Sequence, residues 1–123
     1  MTYLLIAVFG AAGAVSRCAL DGWISDLTRG QFPWGTFVVN IAGAFALGIV
    51  VALTTERLLP HPNWRVALGI GYLGSFTTFS TYTYESVKLA EEGALGLALL
   101  NSAGMLAVGL LAASCGLALG RTL

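Results

Sequence analysis

The chain has 123 residues, room for one domain, of which 57% are hydrophobic and 10% charged, less than half the charged share of ordinary soluble domains. A soluble protein this short could not hide so much apolar surface, so lipid is expected to be its solvent and a cell membrane its place. Six basic residues balance six acidic ones, which leaves no electrostatic footprint for nucleic acid.

Uncharged stretches run over 1–16, 32–55, 66–84 and 93–120, and a spanning helix takes ~20 mostly apolar residues. The expected fold is therefore an all-α integral membrane protein, one transmembrane domain with spans at 2–25, 33–56, 64–88 and 94–120. The first uncharged run is short. It reaches full length by continuing through Arg17 and Asp21, which stand four apart on one helix face and can pair there. No basic region precedes it, so a retained helix is expected rather than a cleaved leader. Arg29-Gly30 marks the first turn, and Pro33 suits the opening of the second helix.

The second span carries one polar outlier, Asn40, in the apolar run from Thr36 to Val51. A buried amide needs partners. It either ties two helices together, at ~1 kcal/mol, or serves a polar path, and the sequence leaves both open. Pro60-His61-Pro62 makes the next turn, with His61 solvated.

The third span holds an unusual polar stretch. Six Ser or Thr residues fall between Ser75 and Tyr84, with rings at Phe76, Phe79 and Tyr82 spaced by three. One helix face would present rings and its neighbours hydroxyls. Gly69, Gly71 and Gly74 cluster just before, and consecutive threonines compete for backbone hydrogen bonds. Both features favour an interruption near 74–78, roughly at mid-span. The alternative is a continuous helix whose hydroxyls bond back to its own carbonyls. Interrupted backbone at membrane depth is tolerated where protein buries it or a polar cavity adjoins it, and freed carbonyls there can bind a cation. Glu85 and Lys88 are expected to end this span facing water, before a turn at Glu91-Glu92-Gly93.

The fourth span offers Asn101, Ser102 and Ser114 as its polar candidates, either for a polar path or, near the helix ends, as merely interfacial groups. Gly10/Ala14, Ala44/Gly48 and Gly116/Gly120 repeat the four-residue spacing of small residues that lets helices approach in lipid. Cys18 and Cys115 match no zinc or redox spacing and are read as small packing residues.

With four spans both termini share a side. Arg57, Arg65 and Arg121 lie there, and Arg17, Arg29 and Lys88 lie opposite. A three-to-three tally gives no orienting excess, which points to insertion in both directions and head-to-tail pairing, against the alternative of a single orientation.

No Lys, Arg, Asp or Glu falls mid-span, which disfavours proton-coupled export, a process that needs a titratable carboxylate in the membrane. No nucleophile–base pair or metal-ligand cluster points to an enzyme. Hydroxyl and amide dipoles suit a small ion in transit, or they glue helices in an assembly subunit. Ring edges favour an anion and ring faces a cation, so the residues alone leave the ion's sign open.

Three motifs then carry a resemblance: GAAGAVSR from Gly10, GTFVVNIAGAFALG from Gly35 and GYLGSFTTFSTY from Gly71. In their order and in the four-span layout the chain resembles the Fluc (CrcB) fluoride channels over its whole length. The resemblance implies an antiparallel, dual-topology homodimer in the plasma (cell inner) membrane, with two pores that export fluoride from the cytoplasm and limit its toxicity. It also implies a central structural Na+ that is not transported, held by the backbone carbonyls of Gly74 and Thr77. Carried over by motif, the pore residues are Asn40, Phe79 and Tyr82, flanked by Ser80 and Thr81, with Thr78 a further candidate. Arg17 matches a helix-one arginine of the family, either in a vestibule or paired structurally with Asp21. Tyr82 departs from the usual Phe and puts the second ring site in doubt. The family also contains paired unequal subunits, one of which this chain would be if it were not a homodimer.

Overall fold

The computed structural model describes residues 1–55 and 61–123. The expected end of the second span at 56, Arg57 in the charge tally and Pro60 in the second turn lie outside them. All the regular structure described is helical. α1 covers Thr2–Thr28, α2 Trp34–Thr55, α3 residues 62–76, α4 Phe79–Glu91 and α5 Leu95–Thr122. α1, α2 and α5 are each long and apolar enough to cross a membrane, and α3 and α4 together make the remaining traverse. The protein is a multi-pass membrane protein.

α1 runs one turn past the expected end at 25. It stops where Arg29 takes the left-handed conformation, φ 40°, and returns its N–H to the Ser25 carbonyl at 3.0 Å. The Arg29 Nε bonds the Asp26 carbonyl at 3.1 Å, a cation on the helix's negative end. Arg29 rather than Gly30 therefore makes the turn. Pro33 sits just before α2, where its carbonyl receives the Phe37 N–H at 3.1 Å.

The third traverse is broken, but later than the glycines suggest. Gly69 and Gly71 lie in a π-helical stretch, Arg65–Leu73, and Gly74–Phe76 is still α-helical. The chain turns extended only at Thr77 (φ −83°, ψ 159°) and Thr78 (φ −146°, ψ 118°). The continuous-helix alternative is thereby excluded. The glycines serve packing instead: a Cβ on Gly71 would come within 3.0 Å of the Phe9 Cβ, and one on Gly13 would strike the Tyr72 carbonyl. α1 and α3 thus lie with their backbones nearly touching. α2 and α5 do the same through Gly48, Gly116 and Gly120, where a Cβ on Gly116 would overlap the Phe45 carbonyl. Such close approach substitutes for hydrophobic association, which lipid does not supply. Cys18 and Cys115 are exposed, not packed.

Candidate ion pathway at the helix break

The break frees backbone groups, and Asn40 takes up two of them. Its Nδ2 donates to the Thr78 carbonyl at 2.8 Å, and its Oδ1 accepts the Thr78 N–H at 2.7 Å. The side-chain amide thus pairs with one residue's backbone as a neighbouring strand would. An unpaired amide in hydrocarbon is costly, so this contact is what lets two extended residues persist between helices. Both open roles for Asn40 bear on the same atoms: it is an interhelical tie, and it lies on the wall of a groove.

Thr78 also starts α4. Its hydroxyl accepts the Thr81 N–H at 3.3 Å and donates to the Thr81 hydroxyl at 3.1 Å, an N-cap of the usual kind. Ser80 Oγ lies 3.5 Å from the same hydroxyl. Thr77 and Thr83 bond back to helix carbonyls, at 3.0 Å to Leu73 and 3.0 Å to Ser80. The break therefore sets two opposite partial charges side by side. α3 ends in carbonyls, its negative pole, and α4 begins with amide hydrogens, its positive pole. Because Thr78 N–H goes to Asn40, the Gly74 carbonyl lacks the donor that a continuing helix would give it. The first pole suits a cation and the second an anion.

Gly74, Thr77, Thr78, Phe79 and Tyr82 line one groove with Asn40, of about 500 Å³ and open on one side. Leu47, Leu73, Met105, Leu106 and Leu110 make it mostly apolar. Phe79 is 76% exposed and meets the Tyr82 ring edge-on, centroids 5.7 Å apart. Ser80 and Thr81 do not line this groove. Thr81 instead joins Arg17, Asp21, Thr36 and Thr78 around a second cavity of about 160 Å³, so Thr78 borders both. Ser80 lies in neither, on the exposed side of the helix.

Arg17 does not pair with Asp21: among the described residues no ion pair joins them, and the one seen is Lys88–Glu92 at 3.9 Å. Asp21 is drawn to α2, filling the space that Gly35 leaves open. Glu85 was expected in water, but it is half-buried and accepts the Thr36 hydroxyl at 2.9 Å, while its second oxygen has no donor. Of the two places open to Asn101, the interfacial one is excluded, because the residue is fully buried. Its Nδ2 bonds the Ser86 hydroxyl at 2.9 Å and the Tyr82 carbonyl at 3.4 Å, tying α4 to α5. The Tyr82 hydroxyl adds a 2.6 Å bond to the Ser102 carbonyl, inside the π turn Leu100–Gly104 of α5. That hydroxyl is held by protein, and the bond fixes the ring it belongs to. The π turn has no signal in the sequence, and Glu85 could be matched to Thr36 only through the fold.

A family model described as CrcB-like protein, Camphor Resistance (CrcB), matches residues 4–117. Among curated relatives, the chain is 43% identical to the fluoride-specific ion channel FluC of Solibacter usitatus over 121 residues, 98% of this chain and 99% of the relative. It is 48% identical to the protein of that name from Geotalea uraniireducens, over 81% of each chain. It is 46% identical to fluoride-specific ion channel FluC 1 of Symbiobacterium thermophilum, over 98% of each.

Proposed function

Because this chain belongs to the CrcB family, among whose members its relatives are named fluoride-specific ion channels, we propose that it conducts fluoride selectively across the cell membrane and exports it from the cytoplasm. It is a channel and not an enzyme. The observation that carries the reading is the groove at the break, where Asn40, Phe79 and Tyr82 meet the positive end of α4. A small anion gives up its water at a cost of several kcal/mol. Each hydrogen bond to a charged group returns ~1.5–3 kcal/mol, and each ring edge ~0.5–1.5 kcal/mol. The amide of Asn40 and the hydroxyls near it do most of this, and the edges of Phe79 and Tyr82 supplement them. Thr78 and Thr81 continue the donors toward the cavity beside Arg17, whose charge draws anions inward, and Ser80 follows at the exposed edge.

The groove is open on one side, and the reading closes it with a second copy of the chain. In the antiparallel homodimer each copy contributes its groove, giving two pores. The two breaks then face each other, and the Gly74 and Thr77 carbonyls of both copies make an oxygen set suited to one Na+. The missing donor at Gly74 fits that role. The bound ion neutralises converging carbonyl dipoles and pins the breaks together, and it is not transported.

Liposomes loaded with fluoride and carrying only this chain test the proposal. Fluoride is expected to leave while chloride stays. Retention of fluoride by vesicles that contain folded protein would overturn it.

A further inference from the structure

We propose that Met105 is a positioning residue of this pathway, acting through Asn40: its thioether holds the second amide hydrogen of Asn40 at rest and yields it to the passing anion. The proposal rests on the fluoride-channel reading. A side-chain amide carries two N–H donors. One goes to the Thr78 carbonyl at 2.8 Å and belongs to the two-bond pair that closes the break. Spending it on an ion would open the backbone. The other points to Met105 Sδ at 3.2 Å, and this is the donor that can be exchanged.

The acceptor is what makes exchange practicable. Thioether sulfur is a weak acceptor. A carbonyl or hydroxyl in its place would hold the hydrogen against the ion, and an aliphatic side chain would leave it unpaired in an apolar wall. Methionine is also unbranched, with three rotatable bonds, and Met105 lines the same groove as Phe79 and Tyr82, which has room for its sulfur to swing aside. Its backbone, by contrast, is held. The preceding π turn is tied to α4 by the Tyr82 hydroxyl and by Asn101. The side chain moves and its anchor does not.

Norleucine, which replaces the sulfur by CH2 and keeps the shape, isolates the effect. The chain has two methionines, Met1 and Met105, and Met1 is 83% exposed at the terminus, so global replacement changes one buried site. Fluoride titration would be followed at the Asn40 side-chain amide by nitrogen-15 NMR, with efflux from liposomes measured alongside. Removing the competing acceptor is expected to tighten fluoride binding at Asn40 about two- to tenfold. The free amide resonance should shift even before fluoride is added. Met105→Leu, made singly, repeats the comparison should norleucine impair folding. Equal affinities in methionine and norleucine protein, with the native protein conducting, would overturn the role of Met105 and leave the channel reading standing. A native protein that neither conducts nor responds to fluoride would remove both.

Discussion

At the scale of single residues, Asn40 ties the break with the same amide that the proposed pathway turns to the ion, and this decides what its removal does. Asn40→Ala strips both partners from the Thr78 backbone inside the membrane. Each unsatisfied group costs ~1–3 kcal/mol, though partners found within the bilayer reduce such penalties. The variant should therefore lose about 2–4 kcal/mol of stability, seen as a lower midpoint in detergent unfolding, together with its flux. A midpoint equal to the native one would show that the break stands without this tie. The residue was conspicuous in the sequence as the lone amide of an apolar run. Its partner was not, because Thr78 lies 38 positions away and only the helix crossing joins them. Tyr82 shows the reverse: its place in the ring stripe with Phe76 and Phe79 was legible, but the Ser102 carbonyl that receives its hydroxyl exists through a π turn that no local pattern announces.

At the scale of helices, the small-residue spacing was readable and its meaning only partly so. Gly48, Gly116 and Gly120 do mark a tight crossing, of α2 on α5. Gly69, Gly71 and Gly74, which suggested the break, instead belong to helix, and Gly71 admits α1. The interruption falls to the two threonines, whose hydroxyls compete for backbone partners and find them in the Leu73 carbonyl and the Thr81 N–H. Two alanine substitutions separate packing glycines from incidental ones. On Gly116 a methyl would overlap the Phe45 carbonyl, and on Gly22 it would meet nothing within 4 Å. Gly116→Ala should destabilise by about 1–3 kcal/mol, the cost of overpacking. Gly22→Ala should stabilise by about 0.5–1 kcal/mol, because alanine is the better helix former. Unfolding midpoints that move in the same direction for both would contradict this account of the crossing.

At the scale of the whole molecule, four traverses and lipid as solvent were legible because composition alone demands them. One chain by itself presents only an open groove. The balanced charge tally led to insertion in both directions, and labelling tests it. Gly93 holds φ +81°, so the reporter belongs on exposed Glu91, two residues earlier, as Glu91→Cys, with His61→Cys on the other side. Outside-only reagent is expected to reach both positions to a comparable extent, in a background lacking Cys18 and Cys115. Labelling of one position alone would establish a single orientation.

The central claim is that the buried dipoles and rings at the break serve a moving ion and are more than glue, and Phe79 separates the two. In the single chain it is 76% exposed and, among the described residues, meets one ring, that of Tyr82, so its loss removes little packing within the chain. Fluoride efflux from liposomes carrying Phe79→Ala is the deciding measurement. The account predicts a fall of about two- to tenfold, the effect of removing ~0.5–1.4 kcal/mol of stabilisation along the path, in protein that unfolds like the native chain. Efflux at the native rate from that variant would contradict it.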